Sequence, residues 1–589
     1  MARRFEHFPN LVTMFFTRAR EQGDAPFLWV KRDGAWRSTS WAEAARQVSS
    51  IAQALKAQGL QPGDRVMLVS ENRPEWCVAD LAIMAAGCVT VPTYTTNTER
   101  DHQHIIENSG ARAVIVSGQK LADTVLRAVV RTTHVETVIG IDKPRLRQAG
   151  LKCLDWHDLL DAHAPDVAAT EAAATFARDD LACIIYTSGT GGAPRGVMQH
   201  HGMILHNVAG CATVIAEDLG WGDEVFLSFL PLSHAYEHTG GQCLPIGMGG
   251  QIYYAEGLEK LAANMEECRP TIMFVVPRLF EVLRTRIGKA IEKQGGTPAR
   301  LLGYALDIGA KRDAGKLRLA DWPKALLVDT VFKRRIAAKF GGRMKAMVSG
   351  GAPLTPEVGV FFQSLGVTFL QGYGQTEAAP VIACNRPKVG VTVDSVGPPL
   401  PDTEVVIADD GEILVRGELV MHGYWRNDAE TARTLRDGWL HTGDIGVIDE
   451  AGRIKITDRK KDLIINDKGD NVAPQKVEGL LTLQPEIAQA MIMGDRKPYM
   501  VAVLVPDAEW TAEWRRTHPG ADDAAYRAAL SAAVDRTNKD LSVIERVRRF
   551  ILADEAFTIE NEQLTPSLKI RRHVVRQVYG ERLEGLYKA

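Results

Sequence analysis

The chain has 589 residues, 45% of them hydrophobic, 24% charged and 7% aromatic. That composition excludes a disordered, fibrous or membrane-embedded protein and predicts several packed subdomains. Seventy basic against 73 acidic side chains leave a net charge of −3, so no whole-chain field recruits nucleic acid or an anionic surface.

The eight cysteines include no C-x-x-C pair, so neither a zinc site nor a disulfide framework is readable and a reducing compartment is expected. The charged opening MARRFEHFPNL is not followed by an apolar run, and no apolar stretch approaches the length of a membrane span. The expectation is a cytoplasmic protein, with peripheral contact at the inner face of a membrane at most.

In chain order, RVMLVSE (65–71) reads as a buried strand, EWCVADLAIMAAG (75–87) as an apolar-faced helix and CVTVPTY (88–94) as the next strand. ARAVIVS (111–117) and VETVIGID (135–142) continue the alternation, which predicts a parallel sheet covered on both faces. The pattern returns after 180 with LACIIYTS, a helix from 201, EVFLSFLPLS, QIYYAEG and TIMFVVP, predicting a second α/β layer.

Residues 278–340 turn helical. RLFEVLRTRIGKAIEK sets Leu279, Leu283 and Ile287 at helical spacing beside Arg284, Arg286, Lys289 and Lys293, and VFKRRIAAKF repeats this on a smaller scale. A basic amphipathic helix can lie on an anionic membrane. An apolar face packed on the core, with solvated charges outside, is the preferred reading.

From about 390, short strands and Gly- or Asp-rich turns (VGPPLPDTEVVIADDGEILVRG, GRIKITDRKKDLII) predict an antiparallel β subdomain. After 462 the chain reads as a compact α+β module ending in the basic helix KIRRHVVRQVYGERLEGLYKA. The expected fold is α/β, with an N-terminal domain of two α/β layers plus a β-rich subdomain over 1–458, a connector at 459–461 and a small α+β domain over 462–589.

The most informative stretch is Tyr186-Thr187-Ser188-Gly189-Thr190-Gly191-Gly192-Ala193-Pro194-Arg195-Gly196-Val197. It follows an apolar strand, at the carboxyl end where open α/β sheets bind ligands. Its four glycines let backbone N–H groups converge on an anion, three hydroxyls add donors and Arg195 adds charge. Val197 stands where a Walker A loop requires Lys, and no G-x-G-x-x-G is present.

This loop resembles the phosphate loop of the adenylate-forming enzymes: acyl-CoA synthetases, peptide-synthetase adenylation domains and beetle luciferases. Gly191 replaces the second Thr usual in that family, and Arg195 its usual Lys.

Seven further stretches resemble the family's signatures in order. Asn72-Arg73-Pro74-Glu75-Trp76 is the first, and Leu230-Pro231-Leu232-Ser233-His234-Ala235-Tyr236-Glu237 is similar to the segment beside the acyl pocket. Ser349-Gly350-Gly351-Ala352-Pro353-Leu354 is similar to the adenine turn, and Gln371-Gly372-Tyr373-Gly374-Gln375-Thr376-Glu377 to G-Y-G-x-T-E. Trp439-Leu440-His441-Thr442-Gly443-Asp444, Asp458-Arg459-Lys460-Lys461-Asp462 and Leu564-Thr565-Pro566-Ser567-Leu568-Lys569-Ile570 complete the series. The helical 278–340 insert is similar to that of the long-chain fatty acyl branch.

The resemblance implies a two-step reaction. A fatty carboxylate attacks the α-phosphorus of ATP to give acyl-AMP and pyrophosphate; the thiol of CoA then displaces AMP. It implies Lys569, Thr376 and Glu377 as catalytic, with Glu377 holding Mg²⁺. Nucleotide contacts fall to Thr187, Ser188, Gly189, Thr190, Gly192, Arg195, Gly351, Ala352, Pro353, Gln371, Gly372, Tyr373, Asp444 and Arg459. His234, Tyr236 and Gly469 are expected at the acyl or CoA pocket. The C-terminal domain is expected to be mobile about Lys461.

ATP, CoA and a long-chain fatty acid are the partners expected of a monomer or homodimer, with no nucleic acid. Three alternatives stay open: a ligase delivering the acyl group to a carrier protein, a nucleotide- and lipid-binding homologue without turnover, and a membrane-surface protein using the 278–340 helices.

Overall fold

The computed structural model describes residues 4–145, 150–187, 194–313, 316–352, 354, 356–460, 463–468, 470–565 and 569–588. A seven-stranded sheet runs in the order Lys152–Asp155, Thr137–Gly140, Ala113–Val116, Arg65–Val69, Val89–Pro92, Leu181–Thr187, Arg195–His200. Neighbouring strands are parallel except the last two, which form a hairpin. The strands are short, apolar and buried on both faces, as a covered parallel sheet requires.

Helix Pro74–Ala85 differs from the apolar-faced helix expected: all twelve of its residues are buried, Glu75 and Asp80 included. Its sequence is apolar around nearly its whole circumference, and such a helix sits inside rather than on the surface.

The second sheet has eight strands in the order Val381–Cys384, Phe369–Gly374, Ala346–Ser349, Ile272–Val275, Val225–Ser228, Gln251–Tyr254, Pro26–Arg32, Ala35–Ser40. The N-terminal hairpin therefore belongs to this layer, with Leu28 opposite Ile252 and Trp29 opposite Tyr253.

Helices Pro277–Gln294 and Gly296–Asp313 pack beside this sheet. Leu279 is buried, and Leu283 and Ile287 pack against the same apolar cluster as Phe280, Phe361 and Phe362. The apolar face of the first helix thus points inward. Trp322–Leu327, Val328–Phe332 and Lys333–Lys339 follow as one helical run.

An antiparallel sheet comprises Glu404–Ile407, Glu412–Arg416, Trp439–Ile448 and Leu435–Arg436, with Ile454–Arg459 paired to Trp439–Ile448. Beyond it, strands Ile487–Met493, Met500–Pro506 and Val547–Leu552 form a three-stranded sheet. Apolar clusters on its two faces include Leu530 and Val534 of one helix and Val575, Tyr579 and Leu583 of the last. No helix among the described residues is long and apolar enough to cross a membrane.

Candidate active site

A cleft of about 2010 Å³ opens where the carboxyl ends of the second sheet, the Leu181–Thr187 strand, the antiparallel subdomain and the C-terminal module meet. Thr187 and Arg195, paired across the hairpin, line it. The glycine-rich loop therefore joins two strands, unlike a phosphate loop that opens a helix; helix His201–Val214 starts only after the second strand. Ser188, Gly189, Thr190 and Gly192 lie outside the described residues. His104, on helix Glu99–Ser109, hydrogen-bonds the Pro194 carbonyl through Nε2 at 3.0 Å.

Strand Phe369–Gly374 ends in the tight turn Thr376–Ala378, which carries Thr376 and Glu377 to the cleft. The amide of Gln199 donates to the Thr376 carbonyl at 2.8 Å. Tyr424 donates its hydroxyl to Glu377 Oε1 at 2.6 Å. Burial, and then the charge of Glu377, raises the pKa of the Tyr424 hydroxyl, so it stays protonated as a donor.

Tyr424 reaches this position because its segment adds to the hairpin: Met198 N–H donates to Gly423 O and Trp425 N–H to Gly196 O. The guanidinium of Arg195 lies 4.6 Å from the centroid of the Tyr424 ring and is ion-paired with Glu430. Neither Tyr424 nor Glu430 stands in a stretch singled out from the sequence. Both act through tertiary pairing, and the one local cue, Gly423-Tyr424-Trp425, reads as an ordinary turn.

At the other end, the buried Asp444 accepts from the Tyr373 hydroxyl at 2.7 Å on Oδ2 and from Arg459 Nε at 3.1 Å on Oδ1. Burial pushes its carboxyl pKa up, against the lowering influence of Arg459, Tyr373 and Lys569. A carboxylate oxygen can accept two hydrogen bonds.

Gly351, at φ +83°, and Ala352 are exposed along the rim, and Gly372 lies on the wall. Gln371 turns its amide to the Val393 carbonyl at 2.7 Å and so shapes the wall. Pro353 lies outside the described residues.

Lys569 lines the same cleft as Thr187, Glu377 and Asp444. Its backbone is clamped: Thr565 N–H donates to Lys569 O at 2.8 Å and Lys569 N–H to Thr565 Oγ1 at 3.0 Å. Burial, and then the charge of Lys569, depresses the His234 imidazole to about 4, so His234 is neutral at pH 7. Its Nδ1 accepts from Tyr236 N–H at 3.2 Å, which puts the ring proton on Nε2. Tyr236 donates to the Val348 carbonyl at 2.8 Å and meets Phe274 edge-on at 5.5 Å. It is a fixed wall residue.

An apolar branch leads past Tyr236. Cys211, Val214, Ile215 and Leu219 line it from helix His201–Val214 and the following π-turn. Val348, Leu370, Val381 and Cys384 line it from the sheet. Leu370 and Cys384 form a small cluster with Ala346, joined to the main core through the half-buried Leu219 and Val348. Next to this cluster Arg386 bonds Asp218 and Glu217, each at 2.6 Å.

Lys460, after Arg459, is held to Asp410 at 2.6 Å and Glu412 at 3.1 Å. Lys461 and Gly469 lie outside the described residues. The described residues of the sequence-read site, His234 and Tyr236 included, thus meet in one cleft, although they come from four parts of the chain.

The AMP-binding enzyme family matches residues 15–425, and the AMP-binding enzyme C-terminal domain matches 461–589. The long-chain-fatty-acid–CoA ligase FadD15 of Mycobacterium tuberculosis is 32% identical over 98% of this chain and 97% of its own length. The peroxisomal long chain acyl-CoA synthetase 7 of Arabidopsis thaliana is 31% identical over 95% of this chain and 83% of its own.

Among solved structures, the adenylation domain of a carboxylate reductase from Mycobacterium chelonae superposes with a TM-score of 0.78, at 24% identity over 99% of this chain and 92% of that one. The anthranilate CoA ligase AuaEII, in complex with anthranoyl-AMP, gives 0.72 at 19% identity over 98% of each chain. Those likenesses establish the same fold. With both family matches spanning nearly the whole sequence around this cleft, the chain belongs to the AMP-binding enzyme family.

Proposed function

We infer that the chain is an AMP-forming long-chain fatty acid–CoA ligase. The observation that carries this reading is the convergence of Glu377, Asp444 and Lys569 on one cleft that continues into an apolar branch.

In the first step a carboxylate oxygen bonds the α-phosphorus while the bond to pyrophosphate breaks. Attacker and target are both anionic, so positioning and positive charge dominate the barrier. Lys569 places its ammonium over the developing charge, and Asp444 and Arg459 hold the ribose. Tyr373 fixes the Asp444 carboxylate and offers its ring to the adenine beside Gly351, Ala352, Pro353, Gln371 and Gly372. Thr187 and Arg195 flank the phosphates with the loop residues Ser188, Gly189, Thr190 and Gly192. Arg195 exchanges its contact with Glu430 for phosphate oxygens.

The donor set fits Mg²⁺: Glu377 is a hard carboxylate held by Tyr424, with the Thr376 hydroxyl beside it, and Mg²⁺ takes one or two such groups plus phosphate and water. When bound, the ion screens the phosphate charge.

In the second step the CoA sulfur bonds the acyl carbon, and the bond to the phosphate oxygen of AMP breaks. Neutral His234 and Tyr236 shape the acyl entrance rather than move protons, since a fatty carboxylate is already ionised at pH 7. Residues 459–461 serve as the pivot between an N-terminal domain over 1–458 and a C-terminal domain over 462–589. Rotation about Lys461 withdraws Lys569 and admits CoA near Gly469, and Lys461→Pro stops one half-reaction while sparing the other.

ATP–pyrophosphate exchange across acids of graded chain length tests the reading, with CoA and a phosphopantetheinylated carrier compared as acceptors. Exchange with long-chain acids and thioester formation on CoA are the expected results; no exchange with any fatty acid would sink it.

A further inference from the structure

We propose that the segment 316–327 is a docking surface for an anionic lipid bilayer, a property beyond the ligase reaction. Leu319, Trp322 and Leu326 leave 84%, 65% and 66% of their surfaces exposed. Trp322 and Leu326, four residues apart, share one side of the helical run, and Leu319 sits in the single turn Leu319–Asp321 that leads into it. Val328 faces away from them and is buried in the core beside Leu301 and Ala305, and Ala325 is buried as well. The run is therefore apolar inward and apolar outward, and among the described residues only the inward face is covered. Large apolar side chains gathered on one exposed patch mark an interaction site.

Charge selects the occupant. Residues 311–335 carry eight basic and three acidic residues, a surplus of five in a chain whose total is −3. Of the acids, Asp321 is tied to Lys311 at 2.8 Å, and Asp329 is bound by Arg312 at 2.7 Å and Lys333 at 2.8 Å. Lys316, Arg318 and Lys324 are exposed around the apolar trio, and Lys324 lies 5.1 Å from the Tyr304 ring centroid. Leucine and tryptophan ringed by lysine and arginine match the boundary between acyl chains and anionic headgroups. A second copy of the chain is disfavoured by the same charges, because a two-fold interface on this patch would set its bases against each other.

The helix with Leu279, Leu283 and Ile287 packs its apolar face on the core, as the preferred reading of its sequence has it, and the exposed apolar face lies instead in 316–327. The same helical block reaches the cleft through Pro277 and Glu281, so docking brings the entrance toward the phase that holds a long-chain acid.

The test is cosedimentation of the full chain with vesicles of phosphatidylcholine alone or mixed with phosphatidylglycerol. The wild type is expected to sediment with the mixed vesicles only. Lys316→Glu/Arg318→Glu/Lys324→Glu lowers the partition coefficient on the order of 100-fold. Leu319→Ser/Trp322→Ser/Leu326→Ser lowers it by about tenfold or more. Both variants keep wild-type turnover on a soluble medium-chain acid. Trp322→Phe, a milder change, removes the tryptophan fluorescence shift that the mixed vesicles induce. Binding is read without turnover, so its failure is distinct from failure of the ligase assignment. A wild type that stays in the supernatant, variants that partition equally, a fluorescence shift that survives in Trp322→Phe, or a patch whose loss only dissociates a dimer would each overturn the proposal.

Discussion

The hydroxyl of Tyr424 meets Oε1 of Glu377 at 2.6 Å, beneath the guanidinium of Arg195, which Glu430 holds from the far side. This chain of contacts ties the end of the glycine-rich hairpin to the acid proposed to hold Mg²⁺. Hydrogen bonds to charged groups contribute about 1.5–3 kcal/mol, so Tyr424→Phe lowers adenylation by roughly 10–100-fold at limiting Mg²⁺. Because Tyr424 positions the ligand rather than touching substrate, raising Mg²⁺ restores much of the rate. Glu377→Ala is not restored. Pyrophosphate exchange against Mg²⁺ concentration separates the two, and a Mg²⁺-independent loss in Tyr424→Phe would contradict the positioning role.

The apolar branch makes a chain-length prediction. Cys211 lines it from the helix, opposite the sheet wall that carries Cys384. Cys211→Phe fills part of the branch, and each methylene left unburied forfeits about 0.8 kcal/mol, close to fourfold in kcat/KM. Long acids therefore lose progressively while medium-chain acids are spared. A uniform loss at every length places the branch elsewhere.

Arg386 holds Asp218, whose side chain is fully buried. Arg386→Ala leaves a buried carboxylate without its base, a change that costs about 3–5 kcal/mol. Denaturant unfolding reads it as a lower midpoint with an unchanged slope.

Glu237, one helical turn after His234, is buried, and desolvation raises its carboxyl to about 8 against the lowering influence of Ser228 and the Phe229 backbone. Its folded pKa is above its unfolded value near 4.5, so the folded state holds the extra proton. Stability from this group is full below about 4.5 and is lost as pH rises through 8. Glu237→Gln removes the ionisation, so the melting temperature of the variant falls less than that of the wild type between pH 6 and 9. Parallel curves would show that Glu237 is ionised in the folded protein at neutral pH.

That these residues gather in one cleft could be anticipated because they sit in short loops at strand ends, where Gly, Thr and Pro patterns are local. Phe369–Gly374 delivering Thr376 and Glu377 is one such case. What depended on pairing across the chain was not legible. Asp33-Gly34, at φ 52° and 75°, is a hairpin signal, yet nothing local directs that hairpin to the edge of Gln251–Tyr254. Tyr424 and Glu430 reach Glu377 and Arg195 only through the added strand pairing at Gly196 and Met198. The 316–327 patch escaped for another reason: its apolar residues lie on both the buried and the exposed side, so Trp322-Pro323-Lys324-Ala325-Leu326-Leu327-Val328 shows no single apolar face.

In the proposed mechanism Lys569, carried on the C-terminal module, supplies charge for the first half-reaction alone. Lys569→Ala is expected to lose about 10²–10³ or more in ATP–pyrophosphate exchange. It should form acyl-CoA from preformed acyl-AMP at close to the wild-type rate. Near-normal exchange by the variant, or equal loss of both half-reactions, would show that Lys569 does not play this part.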